Sequence, residues 1–407
     1  VTALARAPAD GDAVLGIVPR TVVEPGSVAE AAEAMRALAR DRLAVVCVGG
    51  GTDLGLGRPP ARVDAVLRTR RLVRVVEHAP SDQIVAVEAG MTLAALQDHL
   101  APHGQRLALD PAFPETATVG GILAANAFGP RRTRYGSVRD LVIGITVVRA
   151  DGVVARGGGK VVKNVAGFDL PRLFCGSLGT LGLVAEVIFR LHPLPEASAT
   201  VVLGGLSAGE TRALSVAALD ARLEPSAAVA FGEEGRYRLA LRFEGFAPGV
   251  ADQAERALAL GGARGAERLA GADEAALWAG HDALATGGTV RARASFAPAA
   301  LAAAEGALRA VADTLAGSAL LLHPALGLAT LAGELDRPEA TARALETARR
   351  ALRPAGGSVV LAAAPEPLRA RVDPFGEPPG AIEVMRRLKR ELDPEGRLAP
   401  GRFVGGI

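Results

Sequence analysis

The sequence predicts an α+β protein, with a glycine-rich α+β part first and a cap of ferredoxin-like α+β units after it. Three observations carry this. Glycine-rich turns follow directly on short β-branched runs in the first half of the chain. A strand, helix, strand, strand, helix rhythm runs over about 199–262 and returns over about 289–363, as a repeat of pattern and not of sequence. Apolar residues make up 49% of the 407, enough for the cores of two or more domains.

Each element has a local cause. Arg20 to Val23 reads as β, and Glu24-Pro25-Gly26-Ser27 breaks it. Ser27 caps an Ala-rich helix to about Arg40, because its hydroxyl can accept an amide that the first turn leaves unbonded. Leu43 to Val48 is a buried strand, followed at once by Gly49-Gly50-Gly51-Thr52-Asp53. Ala65 to Leu67, Val73 to Glu77 and Ile84 to Glu88 read as further strands, and Thr92 caps a helix to Leu100. Strands at Leu141 to Ala150 and Val153 to Arg156 meet at Asp151-Gly152, a two-residue hairpin signal. A helical turn over Asp169 to Phe174 and a strand over Val184 to Leu191 precede His192-Pro193-Leu194-Pro195, which reads as a domain boundary. Ile382 to Glu391 is a basic helix stopped by Asp393-Pro394-Glu395-Gly396. The expected division is 1–195, with an internal boundary near 60, then a cap over 196–375, then a segment over 376–407 that returns to the first domain.

Composition excludes several functions. A net charge of +2 with no Lys/Arg run gives no electrostatic footprint for nucleic acid. Two distant cysteines, Cys47 and Cys175, do not make a disulfide framework and cannot supply a four-cysteine iron–sulfur cluster. Six scattered histidines give no metal-site spacing, so no metal is expected. No window reaches the roughly 18–20 apolar residues of a membrane helix, and no signal peptide is legible at Val1. The expectation is a soluble cytoplasmic protein, with peripheral attachment to the inner membrane through partners left open.

Three clusters carry the chemistry. A strand ending in Gly49-Gly50-Gly51 presents successive amides to one concavity, a nest that suits phosphate oxygens, with Thr52 as a further donor. A tight hairpin turn is the alternative. The spacing is not a Rossmann fingerprint, whose last glycine is here Leu54, nor a Walker loop, since Gly159-Lys160 is followed by Val161. The second cluster is Pro114-Glu115-Thr116-Ala117-Thr118-Val119-Gly120-Gly121 with Ala124-Ala125-Asn126, whose small residues leave room for a flat ring system or for close helix-to-strand packing. The third is Gly176-Ser177-Leu178-Gly179-Thr180-Leu181-Gly182, which alone reads equally as a structural turn.

Taken in order, and with Tyr135-Gly136-Ser137-Val138-Arg139-Asp140 and Lys163-Asn164-Val165-Ala166-Gly167-Phe168-Asp169-Leu170 between them, these clusters resemble a known domain. It is the FAD domain of the vanillyl-alcohol oxidase and p-cresol methylhydroxylase superfamily. Within it, Gly129-Pro130-Arg131-Arg132 and the Lys163 to Leu170 run resemble the FAD-binding subunit of bacterial glycolate oxidase. The likeness covers about 20–195 and resumes at Leu388-Lys389, Asp393-Pro394 and Pro400-Gly401-Arg402. It implies a two-part FAD domain of the p-cresol methylhydroxylase type and an FAD-dependent oxidoreductase subunit. Gly49, Gly50, Gly51, Thr52 and Asp53 would wrap the pyrophosphate. Thr118, Gly120, Gly121, Ala125 and Asn126 would line flavin and pyrophosphate. Ser137 and the turn with Gly179, Gly182 and Val184 would complete the site. Two positions depart from many relatives: Val48 stands where Arg is common before the nest, and Ala399 where Asn precedes Pro-Gly-Arg. No histidine falls where some relatives attach the cofactor, His99 and His103 being nearest, so FAD is expected to be non-covalent.

The resemblance also implies a reaction, oxidation of a small 2-hydroxy acid such as glycolate or D-lactate to the 2-oxo acid. That needs a cation for the carboxylate, a base for the hydroxyl proton and flavin as hydride acceptor. Arg293 and His323 are the candidates in the cap, against plain readings as a surface arginine and a packing histidine. Trp278 and His281 read as packing. The implied partners are a catalytic flavoprotein subunit and an iron–sulfur subunit, with Arg386, Arg387 and Arg390 as an exposed basic face toward them. A stand-alone sugar or hydroxy-acid oxidase, and a non-catalytic assembly subunit, are the rival readings.

Overall fold

Ser27 accepts the amide of Glu30 and starts the helix Val28–Arg40, as its position before an Ala-rich run requires. In this computed structural model, which describes residues 4–160, 167–233, 235–262 and 265–407, the chain falls into two units. The first takes in the described residues of 1–129, 136–193 and 377–407; the second takes in 130–135 and 194–376.

The first unit holds two principal sheets. β1 (Ala5–Arg6), β2 (Thr21–Val23), β3 (Val45–Val48) and β4 (Ala65–Arg68) form one, in the order β1-β2-β4-β3. β2, β4 and β3 run parallel, which requires a crossover, and the helix Val28–Arg40 supplies it. Its buried face of Ala31, Ala32, Ala34, Met35 and Leu38 is mostly small, so it packs close to the sheet. The second sheet uses β5 (Val75–Ala79), β6 (Ile84–Glu88), β8 (Val142–Val148), β9 (Val154–Gly158) and β10 (Leu183–Arg190), antiparallel in the order β5-β6-β10-β8-β9. β7 (Gln105–Arg106) pairs with β11 (His192–Pro193) apart from it. Gly152, at φ +77°, turns the β8–β9 hairpin. Two boundaries differ from the sequence reading. β4 belongs to the first sheet, so the change of sheet comes after Arg68 and not near 60. Residues 130–135 leave the first unit for the second. Thr133 and Arg131 hold them there, through the amide of Ala228 at 3.2 Å and the buried carboxylate of Glu244 at 3.0 Å.

The second unit is one antiparallel sheet of eight strands. They are β12 (Ala197–Leu206), β13 (Ala227–Glu233), β14 (Arg236–Gly245), β15 (Ala266–Leu269), β16 (Val290–Ser295), β17 (Leu315–His323), β18 (Leu328–Leu335) and β19 (Ser358–Ala363). The order is β15-β12-β14-β13-β17-β18-β16-β19. Each half is a β-α-β-β-α-β unit, and the halves join edge to edge where β13 pairs with β17. The sequence rhythm is therefore two ferredoxin-like units that close each other's open edge. The helices Ala208–Asp220, Ala247–Gly261, Leu301–Ala312 and Pro338–Leu352 cover one face, with Val250, Leu308 and Leu345 in that core. The helix Gly271–Thr286 covers part of the other face with Trp278.

The C-terminal segment returns to β3. Leu398 bridges Val45 in parallel, and the helix Ile382–Leu392 sends Lys389 inward. The Lys389 ammonium donates to the carbonyls of Thr180 and Leu398, both at 2.8 Å, and to Asp393 at 2.7 Å. Burial pushes its pKa down, against the pull of the Asp393 carboxylate. Lys389→Met leaves Asp393 buried without its counter-charge and is expected to cost about 3–5 kcal/mol. Urea unfolding followed by circular dichroism checks this, and Lys389→Met with Asp393→Leu is expected to recover part of the loss.

Candidate functional site

Strand register builds a cleft in the first unit. β3 and β4 are parallel and Val48 pairs with Arg68, so Gly49 and Thr69 emerge side by side at the carboxyl edge of the sheet. Open α/β sheets bind ligands at such an edge. The cleft is walled by the Gly49 to Leu54 loop, the start of the helix Val119–Ala125, the Leu178 to Val184 turn, and Arg402 from the tail. Among the described residues no acceptor takes the amides of Gly49, Gly50, Gly51 or Thr52. Gly51 at φ +82° turns the loop back after three of these amides. Phosphate oxygens are the ligand atoms that suit such a run of amides.

The glycines divide into two kinds. A Cβ on Gly49 would overlap the Thr118 hydroxyl, and one on Gly50 the Thr116 carbonyl. On Gly120 it would lie 2.7 Å from the Ala89 Cβ. These positions need glycine for the fold itself. Gly121 does not: a Cβ there meets only the Thr118 hydroxyl, at 3.1 Å, and otherwise stands in the cleft. Its missing side chain makes room for a ligand.

The charged residues lining the cleft are Arg402 and Asp53. Arg402 is 3% exposed and donates to the Leu54 carbonyl at 2.8 Å, so its guanidinium is fixed in the cleft wall. Burial pushes the Cys47 thiol up to about 12, so the cysteine at the cleft stays uncharged. The Thr69 hydroxyl is buried at the cleft with no hydrogen-bond partner among the described residues. These features fit a dinucleotide with a charged diphosphate and a flat apolar ring.

Most of the expected binding residues meet here: Gly49, Gly50, Gly51, Thr52, Asp53, Thr118, Gly120, Gly121, Ala125, Gly179, Gly182 and Val184 all line the cleft. Two do not. Asn126 ends the helix in the left-handed region at φ 48°, with its buried side-chain oxygen unpartnered among the described residues. Ser137 caps the helix Val138–Leu141, and its hydroxyl and amide both go to Asp140. Lys163 to Ala166 lie outside the described residues. Sequence reasoning missed Thr69, Ala89 and Arg402. The first two follow the ends of β4 and β6, which pairing with β3 and β10 brings to the cleft; Arg402 arrives with the tail.

The catalytic candidates sit in the second unit. Arg293 pairs across to Thr330, and Thr330 to Leu321, so Arg293 and His323 share a sheet face two strands apart. Arg293 is half-buried there. His323 is buried, and burial, His281 and Arg132 together push its pKa down to about 3. The buried ring stays uncharged at neutral pH, which the packing reading also expects, and a catalytic part for His323 remains a proposal.

Residues 19–158 match a family described as FAD binding domain. The chain is 35% identical to glycolate oxidase subunit GlcD of Bacillus subtilis (strain 168) over 46% of this chain and 39% of that one. It is 37% identical to glycolate oxidase subunit GlcE of Escherichia coli (strain K12) over 39% and 45%. It is 36% identical to a D-lactate dehydrogenase of Archaeoglobus fulgidus over 42% and 38%. The matched stretch thus spans less than half the length of these relatives. A solved alkyldihydroxyacetonephosphate synthase has the same fold, with a TM-score of 0.71 at 16% identity over 95% of this chain and 77% of that one.

Two outcomes follow from the geometry. Gly50→Ala is expected to lower both apo-protein stability and FAD affinity, whereas Gly121→Ala, in a helix where alanine is favoured by about 1 kcal/mol, is expected to lower affinity with little loss of apo stability. Thermal melts and FAD titrations of the two variants separate these effects. The His323 ring titrates near about 6.5 when unfolded and at about 3 when folded. The folded state then binds fewer protons, and stability falls as pH drops through that window. His323→Leu is expected to remove this acid-side loss, up to about 1.4 kcal/mol per pH unit. Urea midpoints at pH 7 and pH 5, read from the one tryptophan, Trp278, check it.

Proposed function

We infer, for a chain that carries an FAD binding domain of the p-cresol methylhydroxylase type, that it is the FAD-binding subunit of a complex oxidising glycolate or D-lactate to the 2-oxo acid. The observation that carries this reading is the cleft, with its unaccepted amides, its ring-sized stripe of small residues and Arg402. The names of the similar relatives supply the substrate class, small 2-hydroxy acids. Bound FAD would supply a two-electron acceptor.

The chain's own residues have separable tasks. The amides of Gly49 to Thr52 hold the diphosphate, and Arg402 offsets its charge. Ala89, Gly120, Gly121, Ala124 and Ala125 form a smooth wall for a ring, and Leu54, Leu178 and Leu183 keep water from it. Arg293 is proposed as a carboxylate cation, on its half-buried place on the sheet face that it shares with His323.

The electrons need an outlet. With two cysteines the chain has no four thiolates for an iron–sulfur cluster, so an iron–sulfur subunit and a catalytic flavoprotein subunit are the proposed partners. Among the described residues no helix is long and apolar enough to cross a membrane. The same proposal puts the complex in the cytoplasm, with any membrane contact made through the partners.

The test is a visible spectrum of the chain expressed alone, before and after anaerobic glycolate or D-lactate. Flavin bands that bleach would give this chain an active site of its own. Bands that persist until partner subunits are added fit the subunit reading. A chain that never takes up flavin would sink the redox reading and favour an assembly role.

A further inference from the structure

Thr69 stands out among the residues at the cleft because nothing in the fold uses its oxygen. It directly follows β4, whose residues Ala65, Val66 and Leu67 are fully buried and apolar. Its backbone is pinned on both sides. The Thr69 amide donates to the Val48 carbonyl at 3.0 Å, and the Thr69 carbonyl accepts the amide of Leu72 at 2.7 Å. Gly90 closes from behind, where a Cβ would overlap that same carbonyl. The residue is 5% exposed, it lines the cleft, and its hydroxyl has no partner among the described residues.

Two needs could place a β-branched residue here, and they differ in one atom. If packing were the whole need, valine would fill the same volume without burying a hydroxyl that nothing bonds. A threonine hydroxyl usually finds a nearby backbone carbonyl when left to itself. Here it stands at the sheet edge beside Gly49, where the register of β3 and β4 puts the two chain ends together. A buried, rigidly held and unpartnered donor at the wall of a ligand cleft is suited to a ligand atom.

We propose that Thr69 is an FAD-binding residue whose hydroxyl hydrogen-bonds a polar group of the bound dinucleotide. The proposal rests on FAD as the occupant of the cleft. It makes the unliganded protein carry a defect that the cofactor repairs, so the hydroxyl costs stability in the apo form and returns it in the holo form. Removing the oxygen should therefore move the two properties in opposite directions, which a purely structural threonine would not do.

The experiment uses the full chain, stripped of flavin and reconstituted with FAD. Thr69→Val is expected to leave the apo melting temperature unchanged or raised, and to weaken FAD binding about three- to tenfold by fluorescence quenching, the worth of one hydrogen bond. Thr69→Ser keeps the oxygen and is expected to retain most of the affinity. Unchanged FAD affinity in Thr69→Val overturns the proposal. So does an apo melting temperature that falls together with affinity, since the hydroxyl would then be serving the fold. If the unmodified chain binds no FAD, the cofactor reading fails and this proposal with it, an outcome separate from either of the others.

Discussion

One buried ammonium holds the back of the cleft together. Lys389 ties a turn near residue 180, a helix that starts at Ile382 and a strand segment near residue 398, although these lie far apart in the chain. A buried charge is tolerated only where geometry and extra hydrogen bonds replace the lost water, and Lys389 has a carboxylate and two carbonyls to do so. Asp393 is satisfied as well, accepting the amides of Arg397 and Leu398. The consequence is positional. Thr180 lies within the Leu178 to Val184 wall, and Leu398 leads to Arg402, so two sides of the cleft hang on a residue that does not line it. The site is assembled from four stretches of the first unit, and the last residues of the chain are as necessary to it as the first glycines.

The glycines show how one motif serves two masters. Gly49, Gly50 and Gly120 let two backbone segments approach until no side chain fits between them. That approach is what sets the Gly49 to Thr52 amides and the Val119–Ala125 helix beside one another. Gly121 then widens the space that the others define. Close backbone packing is therefore correct for part of the motif, and the rest leaves room in the cleft.

Much of this was legible from residues alone, because the signals were local. Ser27 and Thr92 cap helices, Asp151-Gly152 turns a hairpin, and the strand–helix rhythm of the cap is the ferredoxin-like order itself. All of the first glycine cluster and part of the second and third line the cleft. What could not be read was register. Thr69 and Ala89 reach the site because β4 ends beside β3 and β6 beside β10, pairings between distant segments. Residues 130–135 depart for the other unit through contacts with Glu244 and Ala228, which no local pattern announces. Ser137 caps a short helix, a role that a serine in that position also announces. His323 ends an apolar strand and is buried, which the sequence alone left open between core and catalyst.

The central claim is that the cleft recognises FAD through its diphosphate, with the amides of Gly49 to Thr52 as the donors. Calorimetric titration of the flavin-free chain with FAD and with riboflavin, which has the same ring and no phosphate, tests it most directly. Two or more charge-assisted hydrogen bonds should make FAD bind at least about a hundredfold more tightly than riboflavin, with one FAD per chain. Equal affinity for the two, or heat from neither, would contradict the account.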